Sequence, residues 1–332
     1  DRAQLSRVVL KLKKEKIEAL AICFLHSFVN PAHEEVVGQI IQKELPDLFV
    51  SLSSEILPQK REYERVSTTV INSYVGPPVS EYLSAMVEQL KTSGISDRLT
   101  IMQSSGGILD AESCLRKPAH IVECGPAAGV VGAEHIASKA GFENVITLDM
   151  GGTTAKASII EGGKYNLADE YEVGGGMSSS SALVGKGGYA LKLPVIDIAE
   201  VGAGGGSIAW LDGVGSLKIG PESAGALPGP ACYGLGGERP TVTDANLVLG
   251  YLNPQALAGG TVSINKKLSE QAINKYIAEP MKLDLMETAY GIYTVANASM
   301  MRAVRAVTTY RGRDPRDFIL FAFGGAGGLH AV

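Results

Sequence analysis

Residues 149–156, DMGGTTAK, place an acid, two glycines, two hydroxyls and a lysine within one short stretch between the apolar runs of NVITLDMGGTTAKASII. Gly151 and Gly152 let the backbone turn with its N–H groups open to an anion. Thr153 and Thr154 offer hydroxyl donors to phosphate oxygens, and Lys156 adds a point charge. The carboxylate of Asp149 suits a water-rich Mg²⁺ site rather than the phosphate itself. Asp149 and Lys156 are thus the candidate catalytic pair, with Asp149 also a candidate metal ligand. The same Gly-Gly between two β runs is also what an ordinary hairpin turn requires, and both readings fit at this point.

Further glycine-rich segments accompany this one: ECGPAAG from Glu123, VGAGGGS from Val201 and FGGAGG from Phe323. Each falls at a strand or helix end, where α/β folds hold nucleotides against free amides and helix N-termini. Gly204, Gly205, Gly206, Ser207, Gly324 and Gly325 join Gly151, Gly152, Thr153 and Thr154 as candidate cofactor-binding residues. None of these segments has Walker A or GxGxxG spacing, so P-loop and dinucleotide readings fail. Asp244 and Asn246 in TVTDAN could position Mg²⁺ or substrate, although Thr243-Asp244 before an apolar run is equally an N-cap signal. His330 reads more readily as a packing or capping residue than as a nucleotide contact. Glu62, Glu64 and Arg65 in REYER read as a solvated helix face. Nothing near Cys124 in sequence suggests a paired histidine, and it is assigned no nucleophilic role.

The elements that must position these residues alternate helix and strand. Gln4 to Lys16 reads as helix, Ala19 to Phe24 as strand, and Asn30-Pro31 followed by Glu34 and Glu35 as a helix start with N-cap, N1 proline and first-turn acids. Phe49 to Leu52 is another strand. Glu62 to Lys91 reads as two helices broken at Gly76-Pro77-Pro78, followed by a strand at Leu99 to Gln103. Pro126 to Gly141 is a helix ending at a glycine, and the domain boundary is placed near residue 141. Beyond it come the strands around DMGGTTAK, a turn at Glu161-Gly162-Gly163, and strands at Lys164 to Ala168 and Ala190 to Ile198. The intervening Gly174 to Ser181 reads as a mobile loop or a plain linker. Asp244 to Leu252, Leu268 to Ala278 and Asp284 to Tyr310 read as helices, and Phe318 to Phe323 as a strand. The chain stops at Val332, where a further helix is expected to begin, so the expectation is of a fragment.

Composition bounds the remaining choices. With 332 residues and 45% hydrophobic content there is material for two domain cores. The net charge of −5 and the dispersed basic residues argue against a nucleic-acid partner. The longest apolar run, Ala19 to Leu25, is far short of a membrane span, and the N-terminus lacks a signal-peptide pattern, so a cytoplasmic location is expected. Cys23, Cys114, Cys124 and Cys232 show no CxxC spacing and read as packing residues.

Taken together, the chain resembles the hydantoinase A / 5-oxoprolinase family. The stretches that carry the resemblance are SLSSEILPQKREYERVSTTVINSYV from Ser51, IMQSSGGILDAE from Ile101, the long run from Val201 through PGPACYG and TVTDAN to LGYLNP, and RGRDPRDFILFAFGGAGGLHA from Arg311. The resemblance implies the actin-like ATPase fold, with two α/β halves closing on ATP and Mg²⁺. DMGGTTAK then corresponds to a phosphate loop and FGGAGG to the adenosine-side loop. Three departures stand out. Lys156 replaces the acid that ends the family's usual DMGGTSTD, so a metal-ligand role does not carry over to that position. Gly327-Gly328-Leu329-His330-Ala331 replaces Gly-Pro-Leu-His-Ala. The N-terminal DVGGTFTD loop is absent, so only part of the first half is expected. The resemblance implies an ATP-dependent amidohydrolase opening a cyclic amide or imide, hydantoin or 5-oxoproline, with a hydantoinase B-type partner subunit. The alternatives are the ATP-using subunit of an acetone- or acetophenone-type carboxylase, a non-catalytic nucleotide-binding subunit, and a small-molecule kinase.

Overall fold

A computed structural model describes residues 1–95, 98–173, 188–255 and 263–331. The loop expected at Gly174 to Ser181 lies outside them. The chain divides into two compact units, one formed by 1–128 with 167–176 and 185–196, the other by 129–166, 177–184 and 197–332. The division falls at 128–129, inside the helix Cys124–Lys139, whereas the sequence placed it near 141. Residues 167–173 and 188–196 also belong to the first unit, because Tyr171, Leu191, Leu193 and Val195 complete a core with Leu57 and Ile71.

In the first unit, α1 (Arg2–Glu15) is capped by the Asp1 carboxylate, which accepts the Ala3 N–H. Strands β1 (Ala19–Ile22) and β2 (Phe49–Leu52) pair in parallel, joined through α2 (Ala32–Glu44). Val9, Ile22, Ile41, Leu48 and Leu52 form their core. The expected break at Gly76-Pro77-Pro78 does not occur: α3 runs uninterrupted from Glu62 to Thr92. Tertiary packing overrides the proline penalty here, since a Cβ on Gly76 would lie 2.3 Å from the Phe49 ring, a contact only glycine permits. The REYER segment also departs from expectation, because Arg65 is 1% exposed. Its guanidinium donates to the carbonyls of Gln59 and Phe24 and lies over the Phe28 ring, while Glu34, the expected first-turn acid of α2, is buried and accepts the Phe24 N–H. One residue, Phe24, is thus held at its amide and at its carbonyl by buried charged side chains from two helices.

In the second unit, β3 (Val145–Met150) and β4 (Ala155–Glu161), the strands expected around DMGGTTAK, form an antiparallel hairpin with Val145 opposite Ile160 and Met150 opposite Ala155. β5 (Ile198–Val201) pairs antiparallel with β4 on one side, and on the other β8 (Ile319–Phe323) pairs in parallel with β3. Between them in sequence, β6 (Ser207–Leu211) and β7 (Leu217–Ser223) form a separate hairpin. The period of two sends Ile146, Leu148 and Met150, with Ala155, Ala157 and Ile159, to one face of the sheet. There they share a core with Ala289, Ile292, Ala296 and Met300 of a long helix, Leu285–Val307, started by the Asp284 cap. The expected continuous strand from 190 to 198 is instead three short pieces, divided between the units. Asp197, where the chain changes unit, is tied down by both terminal nitrogens of Arg311. Among the described residues no helix is long and apolar enough to cross a membrane.

Candidate functional site

At one end of the second unit's sheet, strand register lines up Phe323, Asp149, Lys156 and Glu200 on four adjacent strands. Directly opposed residues project to the same face, so the row alternates ring, acid, lysine, acid. Lys156 Nζ lies 3.7 Å from Glu200 Oε1, both side chains being about one-fifth exposed, at 18% and 21%. Burial pushes the Asp149 carboxyl above its ordinary range, and the neighbouring Lys156 charge partly offsets this. Glu200 was not foreseen as a site residue. Its only sequence signal is an acid set inside an apolar strand just ahead of the VGAGGGS loop.

The loop 151–154 caps this row. Gly151 N–H closes the turn on the Thr154 carbonyl at 3.1 Å, while Gly152 and Thr153 are exposed and their amides donate to no acceptor among the described residues. A Cβ at Gly151 or Gly152 would meet nothing within 4 Å, so these glycines leave space open rather than fill a tight contact. Gly324 lies against the row from the other side: at φ 83° its missing side chain would fall 2.4 Å from Asp149 Oδ1. Gly325 is exposed and open.

The VGAGGGS loop behaves differently from expectation. Gly204, Gly205, Gly206 and Ser207 are buried, and their polar groups are already used. Gly204 N–H donates to Ser207 Oγ, Gly205 N–H to the Gly151 carbonyl and Gly206 N–H to the Gly152 carbonyl, at 2.8, 3.0 and 2.6 Å. A Cβ on Gly204 would strike the Thr153 backbone at 2.5 Å. This loop therefore backs the 151–154 loop from beneath, and its glycines permit backbone-on-backbone contact rather than ligand approach.

Asp244, expected as a possible metal ligand, is fully buried at the N-terminus of the helix Val242–Val248. Its Oδ2 accepts from the Thr241 amide and hydroxyl and from the Ala231 amide, and its Oδ1 accepts from the Cys232 amide and the Ser269 hydroxyl. With its lone pairs committed to a capping box and to the PGPACYG loop, it is a structural anchor. His330 is 7% exposed and stacks on Tyr293 with centroids 4.8 Å apart. Burial pushes its pKa down to about 4. The ring is therefore neutral, with Nδ1–H assigned as the donor to Asn297 Oδ1 at 2.6 Å and Nε2 accepting from Asn246 Nδ2 at 3.0 Å. It fastens the end of the FGGAGGLH segment to two helices, the packing role expected of it.

These groups can hold phosphate: open amides, threonine hydroxyls and a lysine surround one loop. No cluster of three or more His, Cys, Asp or Glu suited to a metal occurs among the described residues. A lone carboxylate such as Asp149 nonetheless suits Mg²⁺, which keeps several waters and draws other ligands from phosphate oxygens.

A mixed α/β fold of the actin-like ATPase kind, with a glycine–threonine hairpin loop over an acid–lysine–acid row, defines the class of this protein. The profile described as Hydantoinase/oxoprolinase matches residues 65–332, and that of the Hydantoinase/oxoprolinase N-terminal region matches residues 1–45. The chain belongs to the hydantoinase/oxoprolinase family. It is 46% identical to protein MJ0964 of Methanocaldococcus jannaschii, with 99% of this chain and 48% of that protein covered. It is 39% identical to the caprolactamase subunit alpha of Pseudomonas jessenii, with 100% of this chain and 46% of that protein covered. The nucleotide-free acetone carboxylase structure superposes with a TM-score of 0.85 at 28% identity, over 98% of this chain and 44% of that one. The chain spans about half the length of the curated relatives it matches.

Proposed function

We propose that the chain is the ATP-using part of an ATP-dependent amidohydrolase that opens a cyclic amide or imide of the hydantoin or 5-oxoproline type by phosphorylating its carbonyl oxygen. The observation that carries this reading is the 151–154 loop, whose unpartnered amides sit beside Asp149 and Lys156. Its similarity to a caprolactamase subunit supports the cyclic-amide substrate class. ATP would supply the phosphoryl group that converts an inert amide oxygen into a leaving group, so that water can open the ring. Such a transfer depends on positioning and charge neutralisation rather than on a protein nucleophile. Gly152 and Thr153 would donate their amides to phosphate oxygens, with the hydroxyls of Thr153 and Thr154 alongside. Lys156, held in line by Glu200, would neutralise phosphate charge, and Asp149 would orient the waters of a bound Mg²⁺. Gly324 and Gly325 would form the adenosine side. A partner subunit of hydantoinase B type is part of this reading, since the caprolactamase relative is itself named as a subunit.

The fit to acetone carboxylase over 98% of the chain favours a second reading, in which the same phosphorylation acts on an enolate or on bicarbonate. A single assay separates the two. The chain and a hydantoinase B-type subunit are incubated with MgATP and either hydantoin, 5-oxoproline or caprolactam, or a ketone with labelled bicarbonate. ATP-coupled release of the ring-opened product supports the hydrolase, and label fixed into acid supports the carboxylase. ATP binding without either turnover would overturn both.

A further inference from the structure

The contacts between the two glycine loops form two continuous peptide relays. In the first, the Thr243 amide and hydroxyl both donate to the Gly205 carbonyl, at 2.7 and 2.8 Å. The N–H of that same peptide group belongs to Gly206 and donates to the Gly152 carbonyl at 2.6 Å. The N–H of the next peptide group is that of Thr153, one of the open amides. In the second, the Ala224 amide donates to the Gly206 carbonyl, the Ser207 amide to the Gly204 carbonyl and the Gly205 amide to the Gly151 carbonyl, at 2.8, 3.1 and 3.0 Å. This relay ends on the open amide of Gly152.

Hydrogen-bonded peptide groups in series polarise one another, each acceptor strengthening the donor at the far end of its own plane. Side chains are excluded along the way: a Cβ on Gly205 would lie 2.8 Å from the Thr243 hydroxyl, and one on Gly206 2.9 Å from the Gly152 carbonyl. Thr243 itself is fixed by the buried cap of Asp244, the residue next to it. We infer that Thr243 is a positioning residue which, through the Gly205–Gly206 peptide, orients and polarises the Thr153 amide as an anion donor. The relay from Ala224 does the same for Gly152. Thr243 touches no ligand in this scheme. The inference rests on the proposed phosphate role of the loop for its function, but not for its geometry.

Thr243→Val keeps the amide and removes the hydroxyl, and Thr243→Ser restores it. In ¹H–¹⁵N spectra of the ligand-free chain, Thr243→Val should move the Gly206 and Thr153 amide protons upfield and leave Gly205 and Gly152 in place. Thr243→Ser should return them to the wild-type positions. In calorimetric titrations, Thr243→Val should weaken MgATP binding about fivefold, the scale of one hydrogen bond, while adenosine affinity stays unchanged. Should the valine variant not fold, Thr243→Ala serves the same purpose. An unmoved Thr153 resonance, or equal losses for ATP and adenosine, would overturn the inference. A wild-type chain that binds no ATP would overturn the functional proposal instead, and the spectra would still decide the relay.

Discussion

Asp149 and Lys156 face each other across the hairpin, and Glu200 holds the lysine from its other side. Asp149→Asn keeps the shape and removes the charge, so Mg²⁺-dependent ATP turnover should fall by roughly two orders of magnitude or more while the melting temperature holds. Lys156→Ala should weaken ATP use in a protein that remains folded, and it would drive Asp149 still higher by removing the charge that offsets its burial. Equal thermal losses in both variants, with turnover per folded molecule unchanged, would mark the pair as structural. His330 gives a pH signature. Its pKa of about 4 in the folded chain lies below the ordinary 6.5. The stability that this neutral ring contributes is therefore fully present above pH 6.5 and is lost as pH falls from there to about 4, a total on the order of 3 kcal/mol. Urea titrations should show a fall of about 2 kcal/mol between pH 7 and pH 5 in the wild type that is missing from His330→Gln.

The hairpin, the loop beneath it and the turn after β8 act as elements through their glycines, yet these glycines do different things. Gly204→Ala places a methyl into the Thr153 backbone and should cost about 1–3 kcal/mol in denaturant unfolding. Gly152→Ala meets open space, so stability should stay within about 0.5 kcal/mol of wild type while ATP affinity drops. Matching stability losses in both would contradict the division into a backing loop and an open loop. Sequence alone could not make that distinction, because GGT and GGG look alike until a second backbone is brought against one of them. The same limit applies to α3. Local propensity breaks it at the prolines, whereas in the fold it runs on through them, with Gly76 packed on Phe49. The burial of Arg65 was equally illegible, since its acceptors are carbonyls of Phe24 and Gln59, and carbonyls leave no trace in residue type.

Across the whole molecule, the two compact units have separate apolar cores, and the chain passes between them more than once. Each core should carry its own share of the unfolding. Calorimetry is expected to resolve two components, with Ile292→Ala lowering the one belonging to the second unit and Ile41→Ala the other, each by about 2–5 kcal/mol. A single component moved alike by both substitutions would show one cooperative core instead.

The strand pair around DMGGTTAK was legible in the residues, because strand periodicity and turn chemistry are local and act over a few positions, and the family was legible in its motifs. Tertiary structure alone decided which glycines stand beside open space and which face backbone, that Asp244 is an anchor rather than a metal ligand, and that Glu200 stands beside Lys156. Each of those depends on a hydrogen bond or a steric contact between segments far apart in sequence. Only folding brings such groups within reach of one another.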